Sequence, residues 1–242
     1  MSNDIASEAI EQWKNAVRRI ASPLATYEEA DIGSLSAIFG NVPFALVNNV
    51  FVEGALSESA LNDAKEFARI RGVPWMMLTC EGTTPAGFAP AIPLTYMTAD
   101  ELLPPSRTLP ELNYQSIDTS ELATIAWDLN CDAYHIPRET GRAAATGTAL
   151  WDHDAAGFIG FLNGEPVTTA SVVLTGGCRN VIMVATQEAH RRKGYAEAVM
   201  RCALEASGTA RTILHATRDG RPVYERMGYR PLLDMTLWVP TE

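Results

Sequence analysis

The stretch from Val181 to Ala203 constrains this chain more than any other. Val181-Ile182-Met183-Val184 reads as an apolar strand, and a short loop carrying Arg191, Arg192, Lys193 and Gly194 follows it. Tyr195 then opens a helical pattern with Val199, Met200 and Ala203 on one face. A strand that passes through a basic, glycine-bearing loop into a helix leaves backbone N–H groups pointing outward, and the helix dipole favours negative charge there. Gly194 lets the backbone approach a ligand closely, and Ala196 keeps the first turn small. A diphosphate suits such a loop.

Charge placement agrees with that chemistry. The 242 residues carry a formal charge of −10, which argues against a nucleic-acid coat or a membrane-surface binder. Between Arg191 and Arg230, however, nine Lys/Arg face four Asp/Glu. A locally positive stretch in an acidic protein suits an anionic small molecule. The four cysteines, Cys80, Cys131, Cys178 and Cys202, are scattered without a C-x-x-C, so neither a metal site nor a disulfide framework is expected. A reducing, cytoplasmic setting is the expectation, since the first nineteen residues hold acids and no apolar leader segment. No apolar run reaches membrane-spanning length.

The length suits one large domain or two small ones. Ile10, Trp13, Val17 and Ile20 share a helix face, with Pro23 just beyond. Leu35–Phe39 and Phe44–Val52 are short apolar runs, with Gly40-Asn41 and Asn48-Asn49 as breakers. Ser57 to Arg71 reads as a helix closed by Gly72, and 74–78 as a buried strand. Pro104-Pro105 and Pro110 mark a linker, which divides the chain into 1–105 and 106–242. In the second part a strand spans Leu112–Ile117. Asp118 or Thr119 caps a helix through Leu122, Ile125, Ala126 and Leu129, and another helix lies between Arg138 and Ala145. Residues 157–162, Asn163-Gly164 and Val167–Leu174 read as a hairpin with a type I′ turn, and Gly176-Gly177 turns into the strand at Val181. After the helix come a strand at Thr212-Ile213-Leu214-His215 and the segment Tyr224-Glu225-Arg226-Met227-Gly228-Tyr229.

Arg191-x-x-Gly194-x-Ala196 resembles the Q/R-x-x-G-x-G/A signature of the GNAT superfamily, the acyl-CoA-dependent N-acetyltransferases, and 224–229 resembles that family's Y-x-x-x-G-[FY] segment. The element order over 111–242 is the order that fold shows. The resemblance implies an α/β (α+β) fold with a mixed, mostly antiparallel sheet flanked by helices. For 1–105 two readings stand: a degenerate GNAT-like copy, making two tandem halves, or an unrelated α/β domain. The strand–helix–strand order is present there, but the connection at 53–56 lacks the basic loop, and Glu53 would repel a phosphate.

Carried over residue by residue, the resemblance implies that acetyl-CoA binds along Met183, Val184, Ala185 and Thr186. Its diphosphate would lie on Arg191, Arg192, Lys193, Gly194, Tyr195 and Ala196. Tyr224 is the implied general acid, because a phenol keeps its proton at neutral pH and can give it to a leaving thiolate. Thr217 stands where family members often place an asparagine, seven residues before the tyrosine; its hydroxyl is expected to take over the cofactor contact. The general base stays open among His135, Glu139, His153 and His215, or a water relay, while His190 in the loop reads as solvated. The acceptor is a small-molecule or peptide amine, with a cationic one favoured by the acidic surface. A metal, a nucleic acid and a membrane are not expected, and oligomeric state is unreadable. From another class, a non-catalytic acyl-CoA sensor is the rival reading.

Overall fold

The computed structural model describes residues 2–241, with side chains from Asp4 to Thr241. By contact density the chain forms two compact units: residues 1–96, 216–218 and 231–242 make the first, and 97–215 with 219–230 the second. The division is therefore not a single cut at the proline-rich linker. The last strand counts with the first unit, because it ladders there.

The first unit opens with α1 (Ser2–Ala21), followed by β1 (Glu28–Ile32), β2 (Leu35–Phe39) and β3 (Asn48–Phe51). Helix α2 (Glu58–Arg71) then crosses to β4 (Met76–Cys80), which pairs parallel to β3. Ser57 caps α2 by accepting from the Ala60 N–H, and Gly72 ends it in the left-handed region at φ +64°. Strand β5 (Phe88–Ala99) runs out of this unit, and β11 (Arg230–Pro240) lies antiparallel to β4. The order is β1-β2-β3-β4-β11-β5. Ile32, Phe39, Val50, Leu61, Trp75 and Met77 fill the core against α2, with Trp238 of β11 packed on it.

Two features depart from the sequence pattern. Asn48 and Asn49, expected as breakers, open β3 and are fully buried; the carbonyls of Val42, Phe44 and Pro74 take the Asn48 amide, and those of Ala45 and Leu46 take that of Asn49. A buried amide with its donors matched loses little by leaving water. Strand β5 was hidden by Pro90 and Pro93, which lie in its exposed first half; only residues 94–99 are continuously buried.

The second unit has β6 (Asn113–Ser116), α3 (Ser120–Ala133), α4 (Arg138–Arg142), β7 (Ala155–Leu162), β8 (Glu165–Thr175), β9 (Cys178–Thr186), α5 (Tyr195–Ala206), β10 (Thr212–Thr217) and α6 (Arg221–Met227). The order is β10-β9-β8-β7-β6; only β9 and β10 run parallel. Asn163 and Gly164 both have positive φ, +53° and +88°, as the type I′ turn demands. Val167 to Val173 of β8 are buried without alternation, so both faces of this strand are covered. Helix α5 lies against β7, β8 and β9, and α3 against β8 and β9. The architecture is thus a mixed, largely antiparallel sheet flanked by helices. Each unit repeats one motif: three antiparallel strands, then a helix crossing to a parallel fourth. No helix among the described residues is long and apolar enough to cross a membrane.

Candidate acyl-donor site

The site begins where two parallel strands part. The ladder between β10 and β9 runs from Thr212 opposite Arg179 to Leu214 opposite Val181. Strand β9 continues for five residues more, to Thr186, still laddered to β8 on its other side. Within that stretch the β8–β9 register shifts: Thr169 faces Ala185, yet Ser171 faces Ile182. One extra residue on β9 makes a bulge, which bends the strand and raises its twist. Met183 sits in the bulge at φ +52°, a conformation that costs a residue other than glycine about 1–2 kcal/mol.

Side chains from neighbouring elements hold this strained segment. The Asn130 amide donates to the Met183 carbonyl at 3.4 Å and the Tyr134 hydroxyl to the Val184 carbonyl at 3.1 Å. Thr168 donates to the Ala185 carbonyl at 2.8 Å. Asn130 and Tyr134 lie four residues apart at the end of α3, so they share one face and reach successive carbonyls.

The loop after β9 follows directly. A 3₁₀ turn over Glu188–His190 leads to Arg191, Arg192 at φ +62°, and Gly194 at φ +95°. Gly194 is the N-cap of α5 and has no side chain to accept from the first turn. The N–H groups of Tyr195, Ala196 and Glu197 precede the first intrahelical bond, which the Ala198 N–H donates to the Gly194 carbonyl at 3.0 Å. An uncapped N-terminus of this kind favours an anion.

The three basic side chains of the loop do different things. Arg191 donates to the Ala133 carbonyl at 2.7 Å and to the Thr186 carbonyl at 3.3 Å, tying the loop to the end of α3. Lys193 donates back to the Ala189 carbonyl at 2.8 Å. Arg192 is exposed and, among the described residues, has no ion pair or side-chain hydrogen bond. Glu197, buried in the first turn of α5, is turned to Arg201 at 2.8 Å.

Tyr224 is buried on α6, its ring edge against Tyr229 with centroids 6.0 Å apart. Close packing at Gly220 explains that glycine: a methyl there would stand 2.8 Å from the Tyr224 ring. Burial drives the Tyr224 phenol well above the ordinary tyrosine range, and the phenols of Tyr134 and Tyr229 push it the same way. The Tyr134 phenol is likewise raised by desolvation, although the residue as a whole is 47 % exposed.

Met183, Val184, Ala185, Thr186, the 191–196 loop and Tyr224 all belong to the second unit. Thr217, the last residue of β10, counts with the first unit. Of the residues considered as a base, His135, Glu139 and His153 are exposed and His215 is half-buried on β10. His190 is not simply solvated: its ring meets Tyr195 edge-on and its Nδ1 is buried with no hydrogen-bond partner among the described residues. Asn130 and Tyr134 escaped the sequence reading. Their only signal was an amide and a phenol one turn apart at the end of α3.

Residues 150–231 match the model of the acetyltransferase (GNAT) domain. No curated protein sequence matches the chain. Among solved structures, the chain is similar to a GCN5-related N-acetyltransferase from Kribbella flavida, with a TM-score of 0.70 and 16 % identity over 100 % of this chain and 96 % of that one. Another from Sphaerobacter thermophilus gives 0.57 and 16 %, over 85 % and 76 %. A tandem GNAT protein from the clavulanic acid biosynthesis pathway gives 0.53 and 14 %, over 98 % and 96 %. At such identities these three speak for the fold alone. The bulged strand, the uncapped helix and the buried tyrosine all lie within the segment that matches the GNAT acetyltransferase domain.

Proposed function

We infer that this protein is an acetyl-CoA-dependent N-acetyltransferase that transfers the acetyl group directly to an amine of a small molecule or peptide. The observation that carries this reading is the unladdered, bulged end of β9 running into an uncapped helix start. The donor set fits the group: an exposed strand edge suits the amides of a pantetheine arm, and free helix N–H groups suit a diphosphate. When bound, the thioester supplies an acyl carbon open to attack by a neutral amine.

The chain's own residues then have distinct tasks. The backbone of Met183–Thr186 holds the pantetheine arm and offers donors where negative charge builds on the acyl oxygen. Gly194, Tyr195 and Ala196 hold the diphosphate through their N–H groups, with Arg192 supplying charge. Arg191 and Lys193 shape the loop from carbonyl contacts. Tyr224 keeps its proton through burial and gives it to the departing thiolate. Residues 106–242 supply this chemistry, and 1–105 is read as a degenerate copy. In that copy β3 and β4 stay joined through the Val52 N–H to the Leu78 carbonyl, while Lys14 and Ser36 hold Glu53 across the loop. A closed strand pair with a carboxylate at its end is unsuited to a diphosphate. The four free cysteines suit the cytoplasmic setting.

The test is thiol release on mixing the protein with acetyl-CoA and a panel of amines. Turnover with at least one amine supports the reading. Coenzyme A binding without turnover across a broad panel would turn it toward a sensor.

A further inference from the structure

Two consecutive residues near the end of β9 have left the ladder. The bulge separates Ile182, opposite Ser171, from Ala185, opposite Thr169, and the ladder to β10 has already stopped at Val181. Met183 and Val184 therefore have no ladder partner on either side among the described residues. Their carbonyls are instead taken in turn by the end of α3, Met183's by the Asn130 amide and Val184's by the Tyr134 hydroxyl. Both donors are themselves fixed. Asn130 is buried and also donates to the Ala126 carbonyl at 2.9 Å. The Tyr134 N–H donates to the Asn130 carbonyl at 3.1 Å, and Arg191 anchors the adjoining turn through the Ala133 carbonyl at 2.7 Å.

Satisfying these carbonyls does not by itself require two matched side chains. Val184 is half-buried and its bond to Tyr134 is exposed, so water could supply the same hydrogen bond. What a fixed donor adds is direction. A trans peptide unit is planar, with its C=O and N–H on opposite edges, and no peptide bond among the described residues is cis. The Asn130 bond therefore aims the Val184 N–H away from α3, and the Tyr134 bond sets the next plane. Val184 is held between two planes that side chains fix, so its N–H has one direction. The left-handed Met183 just before it persists only while its surroundings over-determine it.

We propose that Asn130 and Tyr134 are positioning residues for acyl transfer: through the Met183 and Val184 carbonyls they hold the Val184 N–H on the acyl oxygen of the bound thioester. This rests on the reading of Met183–Thr186 as the acyl-donor edge. An oxygen that gains negative charge during attack is best stabilised by a donor already aimed at it, because nothing then has to reorganise. Neither side chain touches the substrate in this account. Each acts only by fixing a peptide plane, so its loss is felt in the rate and not in the affinity for the donor.

The test is isotope-edited infrared spectroscopy of acetyl-CoA labelled at the acetyl carbonyl and bound at saturation to the full chain. In the wild type the aimed N–H is expected to draw the thioester stretch to lower wavenumber than in free acetyl-CoA. Tyr134→Phe, which keeps the ring, and Asn130→Ala should each return it toward the free value, with coenzyme A affinity by calorimetry within about twofold of wild type. With an amine that turns over, kcat should fall about tenfold in each variant while KM for acetyl-CoA holds, short of the roughly 10²–10³-fold cost of deleting an oxyanion donor outright. A packing role alone would lower stability or affinity and leave the stretch at saturation unmoved. Weaker binding with an unmoved stretch, or one stretch common to all three proteins, would overturn the proposal and leave the acyl-donor site standing. Should Asn130→Ala fail to fold, Tyr134→Phe decides alone, because it removes only a hydroxyl from an exposed residue. Failure of the wild type to bind acetyl-CoA would overturn both.

Discussion

Burial gives the Tyr224 phenol its chemical character, since an acid that donates to a thiolate must still hold its proton at the pH where the amine is neutral. Its ionisation is displaced upward, so it contributes no alkaline limb to kcat/KM near the usual tyrosine value of about 10. Tyr224→Phe is expected to lower kcat by about 10²-fold with little change in KM for acetyl-CoA, read from steady-state rates. The same shift has a stability consequence. In the unfolded chain Tyr224 and Tyr229 lose protons from about pH 10 upward, whereas the folded protein, burying both, retains them. Their contribution is therefore complete below that pH and falls as pH rises further, and Tyr224→Phe should make the alkaline fall in melting temperature shallower. The two adjacent arginines of the loop also separate at this scale. Arg191→Ala is expected to cost about 1–2 kcal/mol of stability, because two carbonyls lose a charged donor. Arg192→Ala should change stability by less than about 0.5 kcal/mol and weaken coenzyme A binding instead. Chemical denaturation and calorimetry on the pair distinguish strut from ligand.

The bulge in β9 and the start of α5 act as one element, built from three left-handed residues within twelve positions: Met183, Arg192 and Gly194. Gly194→Ala meets both an unfavourable φ and the side chains of Arg107 and Pro110, so a loss of about 1–2 kcal/mol is expected together with weaker coenzyme A binding. Thermal melting and titration of the same variant measure the two effects. Much of this element was legible beforehand. Apolar Val181–Val184, the glycine and the amphipathic face of α5 are local patterns, and so were the Asn163-Gly164 turn and the caps of α2 and α3. The bulge was not legible, because an extra residue in one strand leaves no mark on composition; it exists only against the register of β8. The contacts that steady it come from Asn130 and Tyr134, some fifty residues away. Arg191 shows the reverse limit: the motif singles it out as a charge for the ligand, but the guanidinium takes the Ala133 and Thr186 carbonyls, a choice the sequence does not specify.

At the scale of the whole chain, the proline-rich stretch at 104–110 suggested a simple boundary, and the division of contacts is different. Strand β11, last in sequence, ladders with β4 and places Met235 and Leu237 in the buried interior of the first unit. Trp238 adds a hydrogen bond to Thr79 at 2.8 Å. A strand partner distant in sequence is invisible to periodicity, which reports only which face is apolar. A fragment comprising 106–242 would carry β11 without β4 and expose side chains each worth about 1.5–3 kcal/mol on burial. It is expected to melt well below the full chain and to aggregate, as gel filtration and melting curves will show. The two units repeat one strand order, with the end of the parallel pair open in one and closed by the Val52 N–H to the Leu78 carbonyl in the other.

The most direct test of the acyl-donor site is amide hydrogen exchange on the full chain with and without coenzyme A. Slowed exchange confined to the N–H groups of 182–186 and 194–197 is the expected result. Unchanged exchange in both segments at saturating coenzyme A, or protection appearing only elsewhere in the chain, would contradict it.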